Sequence, residues 1–469
     1  MTILAKTADA LWNPWLLGLF LFTGLVYSAG SGFFQFFEAK LWLRSTLGSL
    51  LRRRRDAGDG LSPLQALATA LASTMGTGSI AGVAVALTLG GPGAIFWMWV
   101  SAFLGMMTGC GEKLLAVQYQ RPAPGGGLQG GPMFYLRDGA GSPFLAGWFA
   151  LACLPATLAG GDLVQSSSIA LSLEAAFGVD RLLTGLVTAL LAGLVMVGGI
   201  GRISGVASAL VPAMALLYLG SGTAVLLCRA SALPGALRAI FSCALSPAAP
   251  LGGGAGWTVA SALRYGVARG VFTNEAGLGT SAMAHGAART DHPARQGMWG
   301  IFEVFLSTLV VCTMTALVIL VSGVWQPQDP SGLTGAPLTA AAFGSVLGPV
   351  GEGIVALSLL LFAFSSILGW SYYGQQSLRY LTGDDRFLPA YRGVFLACTL
   401  AGALWEPAGV WQLVDLCNAL MALPNLAALL LLAPQSLRTL SCWKAEQRPA
   451  PRRPRRQHGG RRRGSPKGS

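Results

Sequence analysis

The sequence predicts an all-α, polytopic membrane protein of about eleven transmembrane helices, built as two five-helix halves of opposite orientation behind one additional N-terminal helix. Three observations carry this. Of the 469 residues, 53% are hydrophobic and only 11% charged, against roughly 25% charged in soluble domains. Apolar runs long enough to cross a bilayer recur from end to end of the chain. Two of these runs, at corresponding places in the two halves, are interrupted by glycine-rich polar stretches.

Taken in order, the runs fall at 15–37, 64–89, 94–119, 143–175, 181–199, 204–228, 254–288, 296–323, 349–376, 389–404 and 409–433. Those at 143–175 and 254–288 exceed a straight span and call for tilt, a break or extension past the bilayer. The first run and the basic loop after it make up residues 1–63. Residues 64–228 form the first five-helix repeat, 229–253 an extracellular connection, 254–433 the inverted second repeat, and 434–469 a basic, disordered cytoplasmic tail.

The formal charge of +13 would suit a nucleic-acid partner if it were a single patch, but its distribution follows the positive-inside rule. Lys40, Arg44 and Arg52 to Arg55 fill the first loop, Arg202 lies in the fifth, Arg289 and Arg295 in the seventh, and Arg379, Arg386 and Arg392 in the ninth. The segment from Lys444 adds ten Lys and Arg residues. The asymmetry places the N-terminus outside and the C-terminus in the cytoplasm of a multi-pass cell-membrane protein, with membrane lipid and not nucleic acid as its surroundings. The Arg- and Pro-rich tail has almost nothing apolar to bury and reads as solvated chain that can touch anionic lipid.

Eight cysteines are scattered through the spans without a CxxC pair, and the three histidines lack metal-ligand spacing, so neither a disulfide framework nor a zinc site is expected. HExxH and GxSxG are absent, which argues against an intramembrane hydrolase. No cofactor and no enzymatic activity are expected.

Polar groups at membrane depth survive only where they line a cavity or are buried in protein. STMGTGSIAG, Ser73 to Gly82, lies inside a run with no charged side chain. Its glycines let the helix unwind, while Ser73, Thr74, Thr77 and Ser79 supply oxygens for a small ion; Gly78 and Gly82 read equally as a GxxxG packing face. VFTNEAGLGT, Val271 to Thr280, sets Glu275 beside Asn274 in the middle of the overlong run 254–288, an expensive arrangement without a function. The first interrupted span runs outward and the second inward, and each is followed by four more. Paired interruptions in inverted halves point to a transporter's midplane site. Half-helix N-termini present N–H groups to a carboxylate, and C-termini present carbonyls to a cation.

These residues resemble the alanine or glycine:cation symporters, the sodium:alanine symporter family. The resemblance runs from about Gly30 to Pro434 and rests on GTGSIAGVAVALTLGGPGAIFWMW (76–99), GGPMFYL (130–136), GDLVQSSSIA (161–170), GGIGRI (198–203), YGVARGVFTNEAGLGTSAMAHGAA (265–288), HPARQGMWGIFEVF (292–305), FAFSSILGWSYYG (362–374) and LMALPNLAALL (420–430). It implies a leucine-transporter-type fold and sodium- or other cation-driven uptake of alanine, glycine or similar amino acids by alternating access. By the resemblance, substrate is held by Thr77, Gly78 and Ser79 in the first break, by Phe272, Thr273, Asn274 and Gly277 in the second, and by Gln165, with Trp370 and Phe272 limiting the side-chain pocket. Analogy with the wider fold puts sodium among the carbonyls of Ala72, Met75 and Phe362 and the hydroxyls of Ser365 and Ser366.

The chain departs from the family pattern at Ser79, Ser167, Ser307 and Gln375, where Asn, Asn, Asp and Glu are usual, which bears on a second cation site, substrate preference and coupling. Glu112 beside Lys113 reads as a solvated pair at the cytoplasmic interface, Glu303 as facing the cytoplasmic cavity, and Arg264 or Arg269 as half of an extracellular gate. A non-transporting amino-acid sensor on the same fold is the alternative function.

Overall fold

The computed structural model describes residues 7, 10–50, 60–124, 126–245, 258–326, 332–405 and 408–447. Arg52 to Arg55, the start of the 254–288 run and the segment 448–469 lie outside the described residues. Helices occupy the apolar runs: α1 Pro14–Gly30, the pair α2 Pro63–Thr74 and α3 Ala81–Gly90, α4 Gly93–Gln118, α5 Pro143–Phe177, α6 Arg181–Val197 and α7 Gly199–Cys228. They continue with α8 Leu233–Leu245, the pair α9 Val259–Asn274 and α10 Thr280–His285, α11 Pro293–Ser322, α12 Gly335–Leu347, α13 Pro349–Thr382, α14 Leu388–Leu404 and α15 Ala408–Glu446. Six of them, α4, α5, α7, α11, α13 and α15, are each long and apolar enough to cross a membrane.

Local chemistry accounts for where these helices begin. Ser62 and Gln65 form a reciprocal capping box ahead of Pro63, with Gln65 N donating to Ser62 Oγ at 3.2 Å and Ser62 N to Gln65 Oε1 at 3.0 Å. Thr258 and Ser261 do the same for α9. Glycines let some helices pack closely. A Cβ on Gly300 of α11 would lie 2.5 Å from the Gly109 carbonyl oxygen of α4, so these helices meet backbone to backbone.

The outer surface suits lipid. On α6, Leu183, Leu186, Leu190 and Leu194 are exposed while Thr184, Thr188, Ala192 and Met196 are buried, an inside-out pattern that water would penalise and hydrocarbon does not.

Three boundaries differ from the sequence expectation. The first run stops being one helix at Gly30; Phe33 turns the chain at φ 52°, and short helices Phe34–Phe37 and Ala39–Ser45 follow. The connections at 229–253 and 324–348 hold α8 and α12. Both are short helices with one buried face, Ala236, Ile240 and Ala244 on α8 and Leu338, Thr339, Ala342 and Phe343 on α12. The expected disordered tail from 434 is helical as far as Glu446, where Lys444 pairs with Glu38 at 2.7 Å and sits over the Phe34 ring.

Candidate functional site

The first interrupted helix opens after Thr74. Met75 leaves the helical region, Thr77–Ser79 make a single 3₁₀ turn, and α3 starts at Ala81. The groups freed here are matched by neutral side chains from four other helices. Ser365 Oγ of α13 donates to Ala72 O at 3.0 Å, Ser366 Oγ to Ser73 O at 2.8 Å, Thr315 Oγ1 of α11 to Ser79 O at 2.8 Å and Thr339 Oγ1 of α12 to Ile80 O at 3.2 Å. Thr77 N donates to Gln165 Oε1 of α5 at 3.2 Å, and Gln165 Nε2 donates to Gly160 O at 3.1 Å. Gln165 stands just beyond a π-helical turn, Ala159–Leu163, an irregularity that re-aims the residues after it. Gly161 lies inside that turn against Trp370; a Cβ there would meet the Trp370 Cβ at 2.3 Å.

The second interruption is built differently. Glu275 takes φ 54°, Gly277 φ 95° and Gly279 φ 83°; the two glycines occupy a region other residues rarely adopt. Its amide groups are claimed by protein. Gly277 N and Gly279 N donate to Glu112 Oε1 of α4 at 2.9 and 3.0 Å, and Asn425 Nδ2 of α15 donates to the same oxygen at 2.7 Å and to Gly277 O at 2.9 Å. Behind them, Lys113 Nζ bridges Glu112 Oε2 at 3.3 Å and Glu303 Oε2 at 3.4 Å. His285 Nε2 meets Glu303 Oε2 at 3.1 Å, and Gln296 Nε2 meets His285 Nδ1 at 2.6 Å. Glu112, Lys113, His285 and Glu303 are all fully buried.

This corrects two expectations. Glu112 and Lys113 are an interior clamp and not a solvated interface pair, and Glu303 is enclosed by Lys113 and His285 and does not face a cytoplasmic cavity. The N–H groups of the second break are sealed by a carboxylate of the protein itself.

Both breaks border one cavity, which is lined by Ser73, Thr74, Gly76, Gly78, Gly160, Gln165, Phe272, Glu275, Leu278, Trp370, Val414 and Asn418 and is open to the centre of a water-sized sphere over ≈ 20 Å³, enough for one or two waters. Of the residues expected to hold substrate, Gly78, Gln165, Phe272 and Trp370 are on this wall. Thr77 reaches the site through its backbone N–H to Gln165. Ser79 and Thr273 lie behind the wall: Thr273 Oγ1 donates to Arg269 O at 2.8 Å, and the Ser79 carbonyl is held by Thr315. Asn274 braces its own break, with Nδ2 on Thr308 Oγ1 at 3.2 Å and Oδ1 accepting from Ala276 N at 3.0 Å, and Gly277 turns to Glu112.

The expected sodium set is partly assembled. Ser365 Oγ lies 3.0 Å from Ala72 O and 2.9 Å from Phe362 O, so one hydroxyl gathers two carbonyls. Ser366 reaches Ser73 O instead of Ala72 O, and Met75 N donates to Leu71 O at 2.8 Å.

Against the Phe272 wall, the Arg269 guanidinium carbon lies 5.6 Å from the Trp411 ring centre and 5.9 Å from that of Phe272, and the two rings are 5.7 Å apart. Arg269 therefore stacks on aromatic faces and forms no ion pair with an acid among the described residues. Arg264 lies over Tyr265.

The sequence reading singled out Thr74 as an oxygen for a small ion and Glu275 as a costly charge without giving either a place on the cavity wall, and it missed Gly160, Leu278, Val414 and Asn418.

Residues 1–457 match the model of the sodium:alanine symporter family. The sodium/alanine symporter AgcS of Methanococcus maripaludis is 41% identical over 427 residues, 90% of this chain and 92% of that protein. An uncharacterized transporter of Haemophilus influenzae is 40% identical over 431 residues, 92% and 93% of the two chains. A probable sodium/glutamine symporter of Bacillus subtilis is 36% identical over 428 residues, 91% and 87%. Among solved structures, the manganese transporter of Eremococcus coleocola superposes with a TM-score of 0.52 over 81% of this chain and 78% of that one, at 16% identity. That likeness is one of fold.

Proposed function

From the premise that this chain belongs to the sodium:alanine symporter family, we propose that it is a sodium-coupled symporter of small neutral amino acids such as alanine or glycine, working by alternating access. The observation that carries the reading is the single cavity shared by both helix breaks, with the first break's backbone held by hydroxyl and amide side chains that can yield to a ligand. The eleven-span arrangement belongs to this proposal: α2 to α7, and α9 to α15 without the short α12, act as two inverted repeats of five spans with each broken pair counted once, the N-terminus outside and the basic C-terminus in the cytoplasm.

In this reading the substrate carboxylate takes the Thr77 and Gly78 amide groups at the first break, where Gln165 Oε1 already sits as an acceptor 3.2 Å from Thr77 N. Gln165 then turns its amide N–H toward the carboxylate. Phe272 and Trp370 limit the side chain. A cavity with room for one or two waters must widen for alanine, and the Arg269–Trp411–Phe272 stack above it is the part that parts.

Sodium binds where Ser365 joins the Ala72 and Phe362 carbonyls. When the ion arrives the hydroxyl hydrogen rotates away and all three oxygens face it, with the Met75 carbonyl and Ser366 completing a set of oxygen donors suited to a hard cation. Sodium is the coupling ion and no other cofactor is invoked. Family membership and the shared cavity favour this reading over a non-transporting sensor.

Uptake of labelled alanine and glycine into proteoliposomes tests it. An inward sodium gradient at clamped potential is expected to drive accumulation, while potassium and proton gradients do not; binding without accumulation under any gradient would transfer the protein to the sensor class.

A further inference from the structure

Asp162 is a buried acid with no task in the scheme above. It sits in the π-helical turn Ala159–Leu163 of α5, a helix long and apolar enough to cross a membrane, and is 0% exposed. Its Oδ1 meets Thr399 Oγ1 of α14 at 2.7 Å, and its Oδ2 is buried without a hydrogen-bond partner. Neither oxygen has a Lys, Arg or His against it among the described residues. The Thr399 hydroxyl also lies 3.1 Å from Phe395 O, and it has a single hydrogen to give. Ser166 Oγ, the next hydroxyl along α5, is committed to Thr399 O at 2.5 Å.

An ionised carboxylate here has one donor and no counter-ion, a very costly arrangement at membrane depth. Either a metal ion or a proton would relieve it. A metal ion takes more oxygens than this corner supplies, which are the carboxyl, one hydroxyl and a helix carbonyl. A proton needs one oxygen and settles the hydrogen count: Asp162 Oδ1–H donates to Thr399 Oγ1, whose own hydrogen passes to Phe395 O.

The turn that carries Asp162 also builds the cavity wall. Gly160 lines the cavity and accepts from Gln165 Nε2, Gln165 Oε1 accepts from Thr77 N, and Gly161 packs on Trp370. On the other flank, a Cβ on Gly402 of α14 would lie 2.6 Å from Leu163 O. A carboxylate draws water or new donors to itself, and a turn wedged between α14 and Trp370 admits them only by shifting Gly160 and Gln165. The titratable neighbours are the Tyr391 phenol and Cys398 thiol of α14, with Cys153 of α5 beyond Tyr391. From α13 the turn meets Trp370, whose neighbour Tyr373 is bonded to Ser73; from α15 it meets Val414, and the acid next along, Asp415, lies beside Trp12.

We infer that Asp162 is a proton-binding site and that the protein binds its substrate in the form with this proton in place. The inference rests on the proposed function for the identity of the substrate and adds no driving ion, since sodium does the coupling and the proton sets whether the wall around Gln165 is formed. Release sends one proton to water and leaves a carboxylate, so by linkage rising pH weakens substrate binding.

The test is binding of labelled alanine to purified full-length protein in saturating sodium, from mildly acidic to alkaline pH, with infrared spectra of the same samples. Wild-type affinity is expected to fall with rising pH by up to about tenfold per pH unit. Asp162→Asn keeps the shape without a titratable proton and should hold the wild type's acidic-pH affinity within about twofold throughout. The wild type should show a protonated-carboxyl C=O stretch that Asp162→Asn lacks and that fades as affinity falls. Thr399→Val removes the one donor to the carboxylate and should move both profiles about one unit to higher pH; it decides where Asp162→Asn does not fold. A pH dependence that survives in Asp162→Asn, unshifted profiles in Thr399→Val, or no carboxyl band assignable to Asp162 would overturn the inference. Wild-type protein that binds alanine without accumulating it defeats the transport reading and leaves these profiles to judge the site; protein that binds no alanine at any pH defeats the proposed substrate, and with it the link to binding.

Discussion

The two helix breaks solve the same problem with different materials. At Met75 to Ile80 the freed backbone groups are met by four hydroxyls and one amide from α5, α11, α12 and α13, all uncharged. At Glu275 to Gly279 they are met by one carboxylate, Glu112, fixed by Asn425 and by a buried chain through Lys113, Glu303, His285 and Gln296. Neutral hydrogen bonds are worth little net and exchange readily, whereas a charged group in a dry interior cannot leave without stranding its partners. In the proposed mechanism the first break is therefore the one that exchanges its partners for ligands, and the second is the fixed frame it works against. The second break contributes the Glu275 side chain to the cavity while its amides stay closed.

Removing the clamp should have the largest effect. Glu112→Ala leaves the Gly277 and Gly279 amides unmatched and Lys113 with one carboxylate fewer; it is expected to cost about 3–5 kcal/mol and most of the folded yield, read as thermal unfolding in detergent. Asn274→Ala, on the same frame, should lower stability by about 1 kcal/mol more than it alters alanine affinity. An Asn274→Ala protein of wild-type stability that has lost alanine binding would move that residue to the ligand side of the comparison.

Smaller and more selective effects belong to the first break. Ser365→Ala should raise the sodium concentration for half-maximal uptake roughly 10-fold with thermal stability near wild type. Gln165→Leu should raise the KM for alanine by a similar factor and leave the sodium dependence alone. An unchanged sodium requirement in Ser365→Ala would separate the ion from this pair of carbonyls.

The breaks themselves were legible in the sequence, because glycines beside hydroxyls or a carboxylate inside an apolar run have few physical explanations. What each side chain faces was not. At an irregular turn successive residues point in unrelated directions, so Glu275 lines the cavity while Asn274 and Gly277 turn away from it. Asn418 and Thr74 lie far apart in the chain, and only the packing reveals that they line one cavity. Glu112 misled for a similar reason: an adjacent Glu–Lys pair looks like a surface pair, yet here Glu112 reaches the break between α9 and α10 and Lys113 reaches Glu303 of α11. The short helices α8 and α12 escaped notice because an apolar stretch of 13 residues is too short to read as a span.

The most direct measurement is hydrogen exchange at the two breaks, by mass spectrometry, with and without sodium plus alanine. Segments covering residues 75–80 are predicted to exchange readily alone and to gain protection with ligands, while 276–279 are protected throughout by Glu112 and Asn425. Ligand-induced protection confined to 276–279, with 75–80 unchanged, would contradict the division of labour between the two breaks.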